Sequence, residues 1–260
     1  MFEIKDLSAA WKNKHGNLPV FSNVNFALPE NKITALCGVN GSGKSTLLSL
    51  MSGIVPDTLH ISGKIVLGGR DVINQTAKER AKQLSYLVQN ETNAWEITAR
   101  KLVENGRYAH QKWYENLTEQ DSKIVDEVLE SLALTQMQDR PISNLSGGEL
   151  QRFRIARSLA QQTPYIFLDE PLAGLDLNFQ KELMQLLKQL CQQGKTICIS
   201  IHDINLATTY ADNIIFLKND RSGIILGTPE QIITPENIEN VYGKGFEIYT
   251  HPITGAIQVW

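Results

Sequence analysis

Residues 38–45 of the chain read GVNGSGKS, a spacing of glycine, lysine and serine that suits a phosphate ligand. Glycines let successive backbone N–H groups curl around phosphate oxygens without a Cβ in the way. Lys44 is placed to contact the β- and γ-phosphates of a nucleotide, and the Ser45 hydroxyl to bind Mg²⁺. Thr46 can add a contact near the α-phosphate. The residues expected to bind the phosphates are Gly38, Asn40, Gly41, Ser42, Gly43, Lys44, Ser45 and Thr46.

Two adjacent acids, Asp169 and Glu170, follow the apolar run Tyr165–Leu168. Phosphoryl transfer needs a metal ion oriented on the phosphates and a water molecule aligned for attack. We expect Asp169 to hold the Mg²⁺ shell and Glu170 to polarise the attacking water. Acids at a strand end are also common as helix caps, but their combination with a phosphate loop favours the catalytic interpretation.

The elements that carry these residues read as buried strands followed by helices. Ile33–Cys37, Tyr165–Leu168 and Thr196–Ile201 are short apolar runs, as expected of strands covered on both faces. A helix over Thr46–Ser52 follows the first of them, and its positive end would point at the bound phosphates. Strands that alternate with helices indicate a parallel sheet covered by helices.

The start and the middle of the chain have other patterns. Phe2–Leu7 and Val24–Leu28 alternate apolar and polar residues, which predicts half-buried strands in an antiparallel portion. From about Ala99 to Leu134 the pattern becomes helical, which predicts a helical lobe inserted into the α/β core.

The composition argues against several classes of protein. The formal net charge is −3, so no global field attracts the chain to nucleic acid or to an anionic bilayer. No stretch approaches the ~20 apolar residues needed to cross a bilayer, and the first residues lack the layout of a signal peptide. We expect any link to a membrane to run through another chain.

Residues 145–149, LSGGE, resemble the signature motif of ATP-binding cassette (ABC) proteins and precede Asp169 at the spacing of that family. Ser146, Gly147 and Gly148 would open a helix, whose N-terminal end attracts anions. In the family this helix end binds the γ-phosphate of ATP held by the opposite subunit. The resemblance therefore implies two ATP molecules enclosed in a head-to-tail homodimer.

Four further positions match the family residue by residue. Trp11 stands where the family has an aromatic residue that stacks on adenine, and a core or surface aromatic is the alternative. Gln89 resembles the glutamine that reaches Mg²⁺ and the attacking water. Asp176 ends a segment like the D-loop, which passes between the subunits. His202 matches the switch histidine that contacts the γ-phosphate, so the resemblance implies catalytic roles for His202 and Gln89 beside Glu170.

The resemblance implies an α/β fold with a P-loop NTPase (ABC ATPase) core, an N-terminal antiparallel β portion and an inserted helical subdomain. We expect one ABC ATPase domain over all 260 residues. Residues 1–88 and 150–260 would form the nucleotide-binding core, and about 90–149 the helical subdomain with the signature motif. Val39 replaces the common proline of the phosphate loop, and Gly174 stands where many members have Ser or Ala; neither change removes a phosphate-contacting group.

Three stretches resemble importers of iron–siderophore complexes, haem or cobalamin: residues 105–110, residues 202–207 with 210–212, and residues 227–230 with 234–243. By that resemblance the chain would hydrolyse ATP at the cytoplasmic face of the inner membrane, as a peripheral subunit that drives uptake through a separate permease. A substrate-binding protein and the permease would select the ligand. The Gln89 loop would face the permease, and Trp95 would either line the docking groove or lie in the interior.

Other functions within the family are alternatives. The chain would then serve an exporter or lipid flippase, or drive a soluble partner. Cassettes that act on DNA need a long coiled coil, and the stretch from Gln89 to Leu145 is too short for one. Ribosome-acting members usually carry two cassettes, and this chain has one. We therefore expect no nucleic-acid partner.

Overall fold

The structure is a computed structural model that describes residues 1–14, 16–89, 91, 96–112, 116–252 and 255–260. Its strands are β1 (Phe2–Trp11), β2 (Leu18–Leu28), β3 (Ile33–Cys37), β4 (Leu59–Leu67), β5 (Arg70–Asp71), β6 (Leu84–Leu87), β7 (Tyr165–Leu168), β8 (Thr196–Ser200), β9 (Asn213–Leu217), β10 (Ile224–Gly227), β11 (Ile248–Thr250) and β12 (Ile257–Val259). Its α-helices are α1 (Lys44–Met51), α2 (Ala77–Ala81), α3 (Ala99–Glu104), α4 (Glu119–Ser131), α5 (Gly147–Ala160), α6 (Leu177–Gln192), α7 (Ile204–Tyr210), α8 (Pro229–Ile232) and α9 (Pro235–Tyr242).

The central sheet has the strand order β10-β9-β3-β8-β7-β6 and is parallel except for the edge strand β10. Every residue of β3, β7 and β8 is buried. This burial confirms the prediction made from the three apolar runs, although β8 ends one residue before the expected Ile201. The carboxyl ends of these parallel strands lie at one edge of the sheet. Helix α1 begins at this edge, and Asp169 and Glu170 follow β7 there.

The N-terminal sheet is antiparallel, with the order β2-β1-β4-β5. Both expected N-terminal strands exist but are longer than predicted. The alternation in β1 changes register because a bulge at Asp6, with φ 51°, lets Ile4 and Leu7 both face the core. Phe2 packs edge-on against the ring of Phe167 in β7, so the two sheets share a core.

The expected helical stretch from Ala99 to Leu134 contains α3, a 3₁₀ segment over Asn105–His110 and α4. α3 and α4 both pack on α5. Gly106 is required in the 3₁₀ segment because a Cβ there would lie 2.3 Å from the carbonyl oxygen of Arg157 in α5. The adjacent Arg107 is buried and joins two elements, since its Nε donates to Asp121 Oδ1 at 2.8 Å and its Nη1 to the Ala160 carbonyl at 2.8 Å.

The C-terminal hairpin β11–β12 packs on α7. Asn205 of α7 donates to the Val259 carbonyl at 3.0 Å and accepts from the Val259 N–H at 2.7 Å. Thr208 adds a hydrogen bond to the Ile257 carbonyl. In the part of the chain that the structure describes, each helix is too short or too polar to cross a bilayer.

Candidate functional site

The phosphate loop connects β3 to α1, as the sequence predicts. Lys44, the first residue of α1, is 5% exposed, and its Nζ donates to the carbonyls of Gly38 at 2.8 Å and Val39 at 3.1 Å. Burial lowers the pKa of this ammonium, and the charges of Glu170 and Asp169 partly oppose that shift. Gly43 has φ 102°, and a Cβ there would lie 2.6 Å from Val20, so only glycine fits.

A cavity of about 480 Å³ opens above this loop. Trp11, at the end of β1, forms one wall, and Gln89, Glu170 and His202 lie on its lining too. The phosphate-loop residues in the lining are Asn40, Gly41, Gly43, Lys44, Ser45 and Thr46. An aromatic ring and a cationic glycine-rich loop in one cavity provide surfaces for a nucleobase and for phosphates.

Asp169 lies behind the cavity wall and is 1% exposed. The Ser200 hydroxyl donates to its Oδ1 at 2.7 Å, and the Ser45 side chain lies near enough to act on its pKa. Burial raises the pKa of the Asp169 carboxyl, and the Ser200 and Ser45 hydroxyls limit the rise. Asp169 and Ser45 are therefore neighbours, as a shared metal site would require.

Glu170 has φ 47°, the left-handed region that residues other than glycine rarely adopt. Its backbone N–H donates to Ser200 Oγ at 2.7 Å. Its carboxylate is held at both oxygens: Gln89 Nε2 donates to Oε2 at 2.5 Å, and His202 Nε2 lies 2.6 Å from Oε1. The three residues expected to be catalytic thus form one hydrogen-bonded group.

His202 is positioned by the elements on either side of it. It follows Ser200 and Ile201 at the end of β8, and Asp203 caps the next helix, α7. Oδ1 of Asp203 accepts from the backbone N–H groups of Asn205 at 2.8 Å and Leu206 at 3.3 Å. The imidazole is therefore held between a buried strand and a capped helix start, with its side chain 46% exposed toward the cavity.

The oxygen ligands at this place suit Mg²⁺. Ser45 and Asp169 offer a neighbouring hydroxyl and carboxylate, and Gln89, whose amide nitrogen donates to Glu170, also carries an amide oxygen. Mg²⁺ in nucleotide sites uses only one or two carboxylates and completes its shell largely with phosphates and water. In keeping with this, the described residues contain no cluster of three or more His, Cys, Asp or Glu side chains that would form an all-protein metal cage.

The signature residues lie on a different cavity. Ser146 caps α5: its Oγ accepts from Glu149 N–H at 3.3 Å, and its own N–H donates to Glu149 Oε2 at 2.7 Å. Asp176 caps α6 through Phe179 N–H at 2.9 Å and pairs with Arg152 at 2.6 Å. This second cavity is lined by Met137, Ser146, Gly148, Glu149, Arg152, Gly174, Leu175 and Asp176.

The structure therefore divides the expected nucleotide-binding residues into two groups. One surrounds the phosphate loop and the other surrounds the start of α5, and the two cavities share no described lining residue. Gly38, Ser42 and Gly147 line neither cavity. Trp95, for which a docking or an interior position was expected, lies outside the described residues.

Sequence reasoning missed two residues at this site. Ser200 contacts both acids, and the sequence signal was a hydroxyl at the end of the apolar run of β8. Arg221, in the turn between β9 and β10, lines the cavity beside Trp11, and its Nη1 donates to the Pro19 carbonyl at 2.6 Å. No local pattern marks Arg221, because its contact joins residues 202 positions apart.

Known proteins are similar in sequence to nearly the whole chain. The petrobactin import ATP-binding protein YclP of Bacillus subtilis is 39% identical over 96% of this chain and 96% of its own length. The ferric enterobactin transport ATP-binding protein FepC of Escherichia coli is 35% identical over 93% of this chain and 88% of its own.

Solved structures agree with the fold. A proposed metal-chelate type ABC transporter in an inward-facing conformation superposes with a TM-score of 0.81 at 26% identity, covering 99% of this chain and 95% of that one. The ATP-binding cassette MJ0796, as a dimer in a post-hydrolysis state bound to ADP and Pi, gives a TM-score of 0.76 at 27% identity, covering 88% of this chain and 98% of that one. The family model described as ABC transporter matches residues 21–173. The chain therefore belongs to the ABC transporter family and has the P-loop ATPase fold of its cassettes.

Proposed function

We propose that the chain is the ATP-binding and hydrolysing subunit of an importer, which takes up an iron–siderophore, haem or cobalamin-type chelate through a separate permease. The observation that carries the proposal is the division of the nucleotide-binding residues between two cavities of one chain. A single copy cannot place Ser146 and Gly148 on the phosphates held by its own Lys44. A second copy, related by a two-fold axis, can supply them.

The proposed working form is thus a homodimer with two enclosed nucleotides. A two-fold interface uses the same surface on both copies, so each copy gives its phosphate loop to one site and its α5 terminus to the other. The N-terminal end of α5 carries a partial positive charge that favours a γ-phosphate. The dimeric state of the related cassette MJ0796 supports this assignment.

The chemistry follows from the residues around the acid pair. Lys44 would neutralise charge on the β- and γ-phosphates, and Glu170 would accept the proton of the attacking water. Gln89 and His202, which hold the two carboxylate oxygens, orient that base toward the cavity. Mg²⁺, held by Ser45, Asp169 and Gln89, would neutralise the charge that develops on the phosphate oxygens when it is bound.

Loss of the γ-phosphate removes the group that joins the two copies, so hydrolysis would open the dimer. The helical part, about residues 90–149, would pass this movement to the permease, while residues 1–88 and 150–260 bind the nucleotide. Docking to the permease would place the chain peripherally at the cytoplasmic face of the membrane. A separate substrate-binding protein would deliver the chelate.

Import of a metal chelate is supported by relatives that match over most of their length. Two of these relatives are named for petrobactin import and for ferric enterobactin transport. Residues 105–110, whose sequence resembles such importers, also stabilise the packing of this fold. Gly106 allows close contact with α5, and Arg107 ties the segment to Asp121.

An uptake experiment tests the transport function. A strain deleted for the gene receives either the wild-type chain or Glu170→Gln, and uptake of iron chelates, haem and cobalamin is measured. We expect the wild-type chain to restore uptake of one of these classes and the variant to restore none. Restored export, or no change in any uptake while the chain copurifies with a soluble partner, would contradict the proposal.

A second experiment tests the homodimer. Glu170→Gln with ATP and Mg²⁺, alone and with the copurified permease, is examined by sedimentation at high protein concentration. We expect the cassette to form dimers that dissociate when ATP is removed. A cassette that stays monomeric under both conditions would disprove the two-chain site.

A further inference from the structure

The strand β8 ends at Ser200, next to the end of β7. The parallel register pairs Leu168 with Ile199, so the next residues, Asp169 and Ser200, lie side by side. Ser200 is 1% exposed, as is Asp169. A buried hydroxyl at this place is surrounded by apolar neighbours and must find its hydrogen bonds within the protein.

Ser200 uses its hydroxyl in both directions. Its Oγ donates to Asp169 Oδ1 at 2.7 Å and accepts the backbone N–H of Glu170 at 2.7 Å. One atom thereby joins the side chain of one acid to the main chain of the next. The O–H···O distance is the usual one and the N–H···O distance is at the short end of its range, so both are well-formed hydrogen bonds.

The acceptor bond is made to a residue with unusual backbone geometry. Glu170 has φ 47°, which a side chain with a Cβ adopts only when its surroundings fix it. The hydrogen bond to Ser200 is one of those constraints, because it holds the peptide N–H that leads into this turn. The backbone conformation at Glu170 then determines where its carboxylate contacts Gln89 and His202.

We propose that Ser200 is a positioning residue of the ATPase site, which sets the geometry of Asp169 for Mg²⁺ and of Glu170 for water at the same time. This inference rests on the proposed ATPase function. Ser200 touches neither water nor phosphate in this role and acts only through the two acids. Removing its hydroxyl takes away one of the groups that hold Asp169 and leaves the Glu170 N–H without the Ser200 acceptor.

Ser85 provides a matched control. It lies in β6 of the same sheet, is 1% exposed like Ser200, and pairs with Ile166 of β7. Its Oγ has no hydrogen-bond partner in the structure, so it makes no hydrogen bond to either acid. Ser85→Ala and Ser200→Ala therefore remove the same atom from buried positions of the same sheet. Only Ser200→Ala removes hydrogen bonds to Asp169 and Glu170.

The experiment compares the full-length wild type, Ser200→Ala and Ser85→Ala. Two quantities are measured: the ATPase rate as a function of Mg²⁺ concentration, and the affinity for a non-hydrolysable ATP analogue with Mg²⁺ or with EDTA. For Ser200→Ala we expect kcat to fall about tenfold, as for the loss of one hydrogen bond to a charged group. We also expect a higher Mg²⁺ concentration for half-maximal rate, and an unchanged affinity in EDTA.

Two results would overturn the inference. In one, Ser200→Ala equals Ser85→Ala in kcat and in Mg²⁺ dependence. In the other, Ser200→Ala loses analogue affinity equally with Mg²⁺ and with EDTA, which indicates a general packing defect. If the wild type itself hydrolyses no ATP, the proposed function fails, but the ratio of analogue affinities with Mg²⁺ and EDTA still tests the role of Ser200 at Asp169.

Discussion

Nε2 of His202 lies 2.6 Å from Oε1 of Glu170. The histidine comes from the end of β8 and the acid from the end of β7, so the contact depends on the parallel pairing of the two strands. Gln89, from the end of β6, holds the other carboxylate oxygen at 2.5 Å. Three neighbouring strands thus contribute the carboxylate and the two residues that hold it, which explains how a buried sheet would fix the proposed catalytic base.

Replacement of Glu170 by glutamine should keep nucleotide binding and remove most of the turnover. The amide has nearly the shape of the carboxylate but cannot accept a proton from water. Loss of a general base costs about 10²–10⁴-fold in rate. The ATPase rate and the affinity for ATP are measured together, with the exposed Glu182→Gln of α6 as the control for loss of one charge. If Glu170→Gln hydrolyses ATP at the normal rate, another residue activates the attacking water.

Replacement of Lys44 by alanine should weaken ATP binding by at least about tenfold, because charge-assisted hydrogen bonds to phosphate are lost. The Lys44 ammonium already lies against the loop carbonyls of Gly38 and Val39. Lys195→Ala is a suitable control: this lysine also donates to a backbone carbonyl, that of Gln162 at 3.1 Å, but it precedes β8 at the opposite end of the sheet. Binding is measured by titration with a fluorescent ATP analogue, and equal affinities for the two variants would remove the phosphate-loop assignment.

Replacement of Trp11 by alanine should weaken adenine nucleotides, whereas Trp11→Tyr should retain most of the affinity. Stacking of a base on an aromatic ring contributes about 1–3 kcal/mol. Trp260→Ala serves as the control, because that indole is 72% exposed on the C-terminal hairpin and is absent from the lining of the cavity. If Trp11→Ala and Trp260→Ala bind ATP with the same affinity, Trp11 does not stack on adenine and its role is packing.

The parts of the fold that could be predicted from the sequence are those in which local pattern and burial agree. The apolar run Ile33–Cys37 is typical of a strand buried on both faces, and β3 occupies the same five residues. The bulge at Asp6 shows the limit of this reasoning. It shifts the side-chain alternation by one residue, so the period-2 pattern appeared to stop before the strand did.

The parts that escaped prediction depend on contacts between distant residues. β10, β11 and β12 are three or four residues long and only partly buried, so they carry little alternation to read. The spacing of the motifs predicts which residues form the nucleotide site. It gave no means of telling that Ser200 joins Asp169 to Glu170, because that contact requires the relative register of β7 and β8.

The buried pair of Arg107 and Asp121 leads to a prediction about stability. Their side chains are 7% and 8% exposed, and Nε and Oδ1 are 2.8 Å apart. Asp121→Asn would leave the guanidinium buried without its counter-charge, so we expect the free energy of unfolding at pH 7 to fall by about 3 kcal/mol. The control is Asp126→Asn, whose carboxylate pairs with Arg100 at 2.6 Å but is 60% exposed, and which should cost under about 1 kcal/mol.

The pH dependence of this difference tests its electrostatic origin. Burial acts to raise the pKa of Asp121, but hydrogen bonds from Thr118 and Arg107 outweigh it, so the folded pKa lies below the ordinary value. A carboxylate with a lowered pKa stabilises the fold above its unfolded pKa of about 3.9 and loses that contribution as pH falls through the folded value. Urea unfolding of wild type and Asp121→Asn should therefore differ by a constant amount from pH 7 to about 5, and the difference should shrink below about pH 4. A difference that is unchanged at the lowest pH would show that the loss comes from packing and not from the ion pair.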